Sequence, residues 1–308
     1  MRALVIGASG QVGAALMHAL HARGHDAVGT YAHHPVDGLG ALDITDRGAV
    51  ERAIQDARPD WILCSAGLTH VDHCEEHPAE ALAINRDGPL EAARLARRAG
   101  ASFVFYSTEY VFDGERGPYA EEDAARPLSV YGRSKWDGER AVLAEIERAS
   151  VVRTTVVYGP DRQEKNFVYQ LIANCRGGRE MRIPMDQVSS PTYNVDLARA
   201  TVELCERDLR GVYHLAGEGV IDRVAFARLA CQVFGLDPSR LTPVATAALA
   251  QKAPRPLHGG LLIAKARAAL STPLRSPEAG LRAMRAALEG HPAGTLRASA
   301  VDPHQHIR

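Results

Sequence analysis

Hydrophobic positions in the first 160 residues alternate between two patterns. Short runs of consecutive apolar residues end at glycine or polar residues, which is typical of parallel strands buried on both faces. Between them, apolar residues recur every three or four positions, as on one face of a helix. The predicted strands are 3–7, 26–31, 61–67, 101–107 and 150–159. The predicted helices are 11–24, 46–57, 78–100 and 130–148. This alternation predicts right-handed βαβ crossovers, and hence an α/β fold with a Rossmann-type, doubly wound parallel sheet.

The pattern is less regular after residue 160. Helices are predicted at 166–178, 194–207 and 223–235, and strands at 179–184 and 211–217. We therefore divide the chain into a dinucleotide-binding domain (1–158), to which segments near 190–217 return, and a smaller lobe (159–285). Residues 288–308 lack apolar periodicity and are expected to be a flexible tail.

Composition excludes several classes of protein. The 308 residues include 36 Lys and Arg and 37 Asp and Glu, which gives a net charge of −1. The basic residues are spread along the whole chain, so no nucleic-acid partner is indicated. Five cysteines form no Cys-x-x-Cys pair and indicate a reducing compartment. No apolar run approaches the roughly 18 residues of a membrane span, and the N-terminal run is too short for a signal peptide. We expect a cytoplasmic protein without a membrane partner.

A glycine-rich turn joins the first strand to the first helix. The segment GASGQVG places Gly7, Gly10 and Gly13 three residues apart. In dinucleotide-binding folds the first glycine permits a tight turn, the second lets the backbone approach a pyrophosphate, and the third lets the helix pack on the strand. The phosphates then lie at the helix N-terminus, where free N–H groups favour anions.

The end of the second strand bears on the choice of cofactor. An Asp or Glu there would bind the ribose 2′-hydroxyl of NAD, but Tyr31 to His34 offer no carboxylate. His33 and His34 could lie near a 2′-phosphate, although solvated loop histidines are an equal alternative. We predict NADP(H), with NAD as the alternative, and expect Asp43 to take the adenine amino group. Further cofactor contacts are expected at Ser9, Gln11, Val12, Tyr31, His33, Ile44, Ser65, Ala66 and Gly67.

A tyrosine and a lysine four residues apart lie at the start of the fourth predicted helix, and hence on one helix face. A phenol with a pKa near 10 is a poor proton donor and acceptor at neutral pH unless a nearby ammonium lowers that pKa. Thr108 precedes Tyr131 by 23 residues and closes a buried strand. We therefore predict that Thr108 holds a substrate carbonyl, Tyr131 donates a proton, and Lys135 tunes Tyr131 and holds the nicotinamide ribose.

The ordered motifs GASGQVG, LTHVDHCEEHP, YSTEYVFDG, PLSVYGRSK, VVRTTVVYG, KNF, SSPTYNVDLA, GVYHLAG and RPLHGGL resemble those of a known group. The chain resembles the extended short-chain dehydrogenase/reductases from residue 1 to about 285, and among them the dTDP-4-dehydrorhamnose reductase (RmlD-like) group. It is also similar to the related β subunit of methionine adenosyltransferase. The resemblance implies a nicotinamide-binding N-terminal domain and a C-terminal lobe that binds a nucleotide sugar.

The resemblance also implies a set of substrate contacts. They are Thr69, Val71, Ser107, Glu109, Tyr110, Val156 and Asn166, with Arg255 near the nucleotide. Two residues depart from the family pattern: Glu109 stands where the family usually has Asp, and Val156 where it has a Trp that packs on the sugar ring. These departures bear on which sugar is bound, and leave the reaction type unchanged.

We therefore predict an NADPH-dependent reductase that delivers hydride to C4 of a nucleotide-linked 4-keto-6-deoxy sugar. One alternative is a nucleotide-sugar epimerase or dehydratase, although Tyr110 follows Glu109 where a dehydratase needs a second acid. Another is a non-catalytic regulatory subunit that binds NADP. Whether the chain forms a homodimer stays open.

The segment 70–77 is rich in histidine and acidic residues. It contains neither His-Glu-x-x-His nor Cys-x-x-Cys, so we expect a loop and the start of a helix after the third strand, with no metal.

Overall fold

The computed structural model describes residues 1–290. Its strands are β1 (Arg2–Ile6), β2 (Asp26–Tyr31), β3 (Gly40–Ala41), β4 (Trp61–Cys64), β5 (Ser102–Thr108), β6 (Ala149–Thr154), β7 (Val157–Tyr158), β8 (Met181–Pro184), β9 (Val188–Ser189), β10 (Thr192–Tyr193), β11 (Gly211–His214), β12 (Ile221–Asp222) and β13 (Leu241–Val244). Its α-helices are α1 (Gln11–Ala22), α2 (Arg47–Ala57), α3 (Val71–Glu76), α4 (Pro78–Leu82), α5 (Gly88–Ala99), α6 (Val130–Glu145), α7 (Phe167–Arg176), α8 (Asn194–Glu206), α9 (Arg223–Phe234), α10 (Ala264–Ala269) and α11 (Pro277–Glu289).

Seven of the strands within residues 1–290 form one sheet, in the order β11-β6-β5-β4-β1-β2-β3. Every neighbouring pair in this sheet is parallel. The predicted parallel α/β fold is therefore confirmed. The strand order reverses at β1, which lies between β2 and β4, and the carboxyl ends of β1 and β4 open a crevice there. Ligands of doubly wound sheets bind at such a reversal point.

Helices cover both faces of this sheet. Alternate residues of β1 point to opposite sides, so that Val5 packs with Leu16 of α1 and Leu197 of α8. Ile6 packs on the other side with helices α2, α5 and α6. Two-sided burial explains why the strands have continuous apolar runs rather than alternating patterns.

The second lobe has a separate apolar core. Helices α7, α9 and α11 contribute Leu171, Phe226 and Leu281 to this core. The chain between α7 and α9 supplies α8, which packs on α1, and β11, which forms one edge of the main sheet. The segment 194–214 therefore belongs spatially to the first domain.

Two predicted elements are wrong in their interiors. The single helix expected at 78–100 is three pieces, because a π-helical turn at Ala83–Asp87 separates α4 from α5. The strand expected at 150–159 stops at Thr154 and resumes at Val157. Between them, Val156 has a φ of +41°, outside the range of an extended strand.

Helix α11 continues to Glu289, so the first residues of the predicted tail are helical. The rest of that tail, 291–308, lies outside the described residues. In the part of the chain that the structure describes, no helix is both long and apolar enough to cross a membrane.

Candidate active site

The glycine-rich loop after β1 has the close contacts that its spacing predicts. Gly7 turns the chain with a φ of +88°, and a Cβ atom there would lie 2.8 Å from the backbone nitrogen of Ala66. A Cβ atom at Gly13 would lie 2.2 Å from the carbonyl oxygen of Gly7. Gly7 is required for the turn, and Gly13 for the packing of α1 against β1.

The N-terminus of α1 is suited to an anion. Its N-cap residue, Gly10, supplies no side-chain cap, and the first turn contains no acidic residue. A Cβ atom at Gly10 would meet only the carbonyl oxygen of Gly7, at 3.4 Å, so the outer side of this backbone is open. The buried Nε2 of Gln11 has no hydrogen-bond partner among residues 1–290. Free N–H groups and an unpaired amide donor fit the pyrophosphate of a dinucleotide.

The other predicted cofactor residues border the same crevice. The hydroxyl of Ser65 donates to the carbonyl oxygen of Ile6 at 3.0 Å, which holds the loop after β4 against β1. Asp43 uses Oδ1 to accept from the backbone N–H (2.9 Å) and hydroxyl (2.8 Å) of Thr45, so only its second oxygen is available to an adenine. Val12 lies in the first turn of α1, and Tyr31 is the last residue of β2. The remaining residues lie in the loops after β1, β2, β3 and β4: Ser9, His33, Ile44, Ala66 and Gly67.

Thr108 and Tyr131 meet at the carboxyl edge of the sheet. Thr108 is the last residue of β5, and Tyr131 lies in the first turn of α6, whose N-cap Ser129 accepts from the N–H of Gly132 at 3.2 Å. Burial raises the pKa of the Tyr131 phenol, while its interaction with the Thr108 side chain lowers that pKa. The net shift is upward, so the phenol is protonated at neutral pH. A proton donor needs this state.

Lys135 lies one turn further along α6 and is only 4% exposed. Burial lowers the pKa of its ammonium to about 8. The ammonium lies 4.1 Å from the ring centroid of Phe105. We expected Lys135 to lower the pKa of Tyr131, but in this structure the interaction with Thr108 has that effect. The tuning of Tyr131 by Lys135 therefore stays a prediction.

Sequence analysis missed Asn85, which lies fully buried in the π-helical turn. Its Oδ1 accepts from the N–H of Leu68 at 2.9 Å, and its Nδ2 donates to the carbonyl oxygen of Leu68 and to Ser134 Oγ, both at 3.0 Å. Ser134 in turn donates to the carbonyl oxygen of Tyr131 at 2.8 Å. Asn85 thus links the loop after β4 to the helix that carries Tyr131. Its signal in the sequence is a polar residue within an apolar helical pattern.

Glu109 follows Thr108 and is buried. Its Oε1 accepts from the hydroxyl of Thr155, and its Oε2 accepts from the N–H of Gly260 at 2.7 Å. Burial raises the pKa of this carboxyl. Each carboxylate oxygen thus has one protein donor, and these bonds connect β5 with the second lobe. The predicted contact of Glu109 with the sugar stays a prediction.

Asn166 has a similar local role. It is the N-cap of α7, where Oδ1 accepts from the N–H of Val168 at 3.2 Å and Nδ2 donates to the carbonyl oxygen of Gly159 at 3.0 Å. Both ends of its amide are engaged by backbone, which orders the start of α7, and the predicted substrate contact of Asn166 stays a prediction. Ser107 differs, because its buried hydroxyl has no partner within residues 1–290.

The remaining predicted substrate residues lie after β4, β5 and β6 and in the second lobe. Arg255 donates to Asp72 Oδ1 at 2.9 Å, and the same oxygen accepts from the N–H of Ala253 at 3.0 Å. Asp72 lies in α3, directly after the predicted contacts Thr69 and Val71. The ring edge of Tyr110 faces Tyr131, with ring centroids 5.5 Å apart. Val156 is half-buried between β6 and β7.

The histidine-rich segment 70–77 forms α3, as a helix start was predicted, and His77 is the N-cap residue of α4. Ligand atoms of His73, His77 and Glu80 lie within 4.8 Å of one another, a spacing that could accommodate a cation. His73 Nε2 is hydrogen-bonded to Glu80 Oε2 at 2.8 Å, and the group lies largely at the surface. Exposed clusters of this composition are common without an ion, so we assign no metal to it.

Comparison with known proteins agrees with this geometry. Residues 1–289 match the model of the RmlD substrate binding domain family. The chain is 38% identical over 280 residues to a dTDP-4-dehydrorhamnose reductase of Mycobacterium tuberculosis, and the match covers 89% of both chains.

Two solved structures have the same architecture. A dTDP-4-dehydrorhamnose reductase of Clostridium acetobutylicum superposes with a TM-score of 0.85 at 31% identity, covering 94% of this chain and 100% of that one. A dTDP-4-dehydrorhamnose reductase of Bacillus anthracis, solved in complex with NADP, gives a TM-score of 0.85 at 30% identity, covering 92% and 98%.

Proposed function

We propose, because this chain belongs to the RmlD substrate binding domain family, that it is an NADPH-dependent reductase of a nucleotide-linked 4-keto-6-deoxy sugar. The observation that carries the proposal is the placement of Thr108 at the end of β5 and Tyr131 in the first turn of α6, where the Thr108 side chain is near enough to lower the pKa of the phenol, at the same edge of the sheet as the glycine-rich turn. The relatives named as dTDP-4-dehydrorhamnose reductases support a dTDP-linked substrate.

NADP(H) supplies the hydride in this reaction. The backbone at Gly10 and the N-terminus of α1 would hold its pyrophosphate, and the unpaired Nε2 of Gln11 would add a donor. The absence of a carboxylate from Tyr31 to His34 supports tighter binding of NADPH than of NADH. The NADP-bound relative is consistent with this preference.

The proton comes from Tyr131. Thr108 and Tyr131 would both donate hydrogen bonds to the C4 carbonyl oxygen, which orients the carbonyl and stabilises the negative charge that develops on it. Tyr131 then releases its proton to that oxygen. Lys135, whose lowered pKa of about 8 reflects its burial, would hold the nicotinamide ribose and stabilise the resulting phenolate.

The dehydratase alternative is less well supported. Elimination requires an additional acid and base beside the reacting carbons, and Glu109 is followed by Tyr110. Both oxygens of Glu109 also accept hydrogen bonds from protein groups. Under this proposal Tyr131 alone transfers a proton to the carbonyl oxygen, and a reduction needs only one such transfer.

A direct assay tests the function. The protein is incubated with NADPH and a panel of dTDP-, UDP- and GDP-linked 4-keto-6-deoxy sugars, and consumption is followed by nicotinamide absorbance. We expect turnover of at least one dTDP-linked member, with the C4 alcohol identified by NMR. NADPH binding without turnover of any member would instead favour the regulatory-subunit alternative.

We also propose that the protein works in the cytoplasm. All five cysteines are buried free thiols, which is consistent with a reducing compartment.

A further inference from the structure

One cation beside the candidate site has no role in the reaction described above. Arg223 is the first residue of α9 and is half-buried. Burial lowers the pKa of its guanidinium, while the nearby Tyr110 and Glu109 act in the opposite direction. The backbone also places Arg223 near Glu109: Asp222 pairs with Val188, whose carbonyl oxygen accepts from the N–H of Gly259 at 3.0 Å, and Glu109 Oε2 accepts from the N–H of the adjacent Gly260. Because Glu109 directly follows Thr108, Arg223 lies on the substrate side of the candidate site.

The guanidinium of Arg223 is positioned without using its donors. Its central carbon lies 5.0 Å from the ring centroid of Phe167, which stacks against Phe226 at 5.9 Å. Within residues 1–290 the side chain forms no ion pair and donates no hydrogen bond. The guanidinium is therefore packed against an aromatic face, and its N–H donors remain available.

The neighbouring carboxylate does not engage these donors. Glu109 accepts from Thr155 and from Gly260 instead. Two other arginines with buried side chains are paired: Arg153 binds Glu139 at 2.7 Å, and Arg255 binds Asp72 at 2.9 Å. Arg223 differs from both in having a guanidinium that is desolvated but not bonded.

The location of Arg223 is also unfavourable for a purely structural cation. It begins a 12-residue helix, whose N-terminal end is the positive end of the dipole. The N-cap carboxylate of Asp222 accepts from the N–H of Ala225 at 2.8 Å and forms no bond with Arg223. A half-buried guanidinium whose donors have no acceptor within residues 1–290 is destabilising in the free protein. An oxyanion would remove this cost, because it would accept from the guanidinium fork at a positively polarised helix end.

We propose that Arg223 binds the diphosphate of the nucleotide-sugar substrate. The inference rests on the proposed function, under which the diphosphate is the only anionic group of the substrate. It also separates two arginines that flank Tyr110: the charge of Arg255 is already neutralised by Asp72, whereas Arg223 is available to the ligand. Arg223 is thus a binding residue that anchors the sugar while its keto group lies at Thr108 and Tyr131.

Calorimetric titration with dTDP tests the proposal without requiring turnover. We expect Arg223→Met to weaken dTDP binding at least tenfold, which corresponds to about 1.4 kcal/mol. Arg223→Lys should restore part of the loss, because an ammonium keeps the charge but not the fork. Thymidine, which lacks phosphate, should bind equally to all three proteins.

Arg228 supplies the matched control, since it is exposed on the same helix. Arg228→Met should bind dTDP like the parent protein, and NADPH affinity and melting temperature should establish that every variant is folded. If Arg223→Met binds dTDP within twofold of the parent affinity, the proposal is wrong. This holds even if the KM of that variant for the keto sugar rises.

The two proposals fail in different ways. If the parent protein reduces a keto sugar and Arg223→Met does so with unchanged KM, the inference is wrong and the proposed function stands. If dTDP binds through Arg223 but no keto sugar is reduced, the proposed function is wrong and the anion site stands.

Discussion

Burial shifts the pKa of a phenol and of an ammonium in opposite directions, and the candidate site contains one of each. The pKa of Tyr131 is raised, so the phenol keeps its proton. The pKa of Lys135 is lowered to about 8, because burial of its charged ammonium is unfavourable. Sequence predicted both residues, because a four-residue spacing on a helix fixes their common face. It could not predict Asn85 or Arg223, whose roles depend on contacts with distant parts of the chain.

Tyr131→Phe removes the hydroxyl and keeps the ring that packs against Tyr110. We expect kcat for the keto sugar to fall by roughly 10² to 10⁴, the usual loss for a general acid, with KM much less affected. NADPH affinity should barely change, whereas Lys135→Ala should lower both kcat and NADPH affinity. Steady-state kinetics and cofactor titration measure these effects. Small and equal losses in both variants would contradict the assignment.

Lys135→Met should stabilise the cofactor-free protein. The pKa of Lys135 is lowered from 10.5 to about 8 on folding, so between these values the unfolded chain binds more protons and stability rises with pH. Below about pH 8 the full penalty remains, and removing the charge should gain up to roughly 3 kcal/mol. The gain should shrink as the pH approaches 10.5.

Thermal unfolding between pH 7 and 10 checks the effect of Lys135→Met. Lys165→Met, at an exposed position, is the control and should change stability by less than about 0.5 kcal/mol at every pH. A Lys135→Met protein that is less stable than the parent at pH 7 would show that the ammonium is compensated in the folded state.

At the scale of single elements, the strands were predicted well because two-sided burial leaves continuous apolar runs. The errors lie where tertiary contacts override local preference. Val-Val at 156–157 favours an extended strand, yet Val156 adopts a φ of +41°, and its carbonyl oxygen accepts from the N–H of Thr192 at 3.2 Å. The π-helical turn is likewise accompanied by the bonds of Asn85 to Leu68 and Ser134. The partners of Val156 and Asn85 in these bonds are all more than ten residues away in the sequence.

Gly138 brings α6 against the π-helical turn. A Cβ atom there would lie 2.3 Å from the carbonyl oxygen of Asn85 and 2.9 Å from the ring of Phe105. Gly138→Ala should therefore destabilise the protein by about 1–3 kcal/mol and displace α6, with a loss of activity. In Gly48→Ala the nearest atom is the flexible end of Arg52, so this control should be neutral or stabilising. Chemical denaturation of both variants decides, and equal effects would refute the close packing.

At the scale of the whole molecule, the two lobes are joined across the candidate site by specific bonds. Asp72 accepts hydrogen bonds from Ala253 and Arg255, and Glu109 accepts one from Gly260. The segment 253–260 is therefore hydrogen-bonded to residues that follow β4 and β5. Sequence could predict two lobes from the change in periodicity after residue 160. It could not predict these bonds, because Glu109 and Asp72 look like ordinary acidic residues until the fold places them opposite the second lobe.

Asp72→Ala should weaken substrate binding through this connection. The Arg255 side chain is 9% exposed and would be left without its carboxylate. We expect the KM for the keto sugar to rise roughly tenfold, since loss of a charged hydrogen bond amounts to about 1.5–3 kcal/mol, with NADPH affinity unchanged. Hydrogen exchange in residues 250–258 should increase.

Glu76→Ala is the control for Asp72→Ala. Glu76 pairs with Lys252 at the surface, where both side chains are more than 40% exposed, so its loss should change KM little. Equal effects of Asp72→Ala and Glu76→Ala would show that the connection does not depend on the buried pair.

The edge position of β11 has a consequence for the newly made protein. A chain leaves the ribosome N-terminus first, so β6 is synthesised well before residues 211–214, which pair with it. Until then β6 offers an open strand edge to other chains, and α1 lacks the apolar cover of α8. The nucleotide-binding half, although first in sequence, cannot complete its sheet until the part of the second lobe that contains α7 has been translated. Nascent chains of this protein should therefore depend on chaperones over that interval.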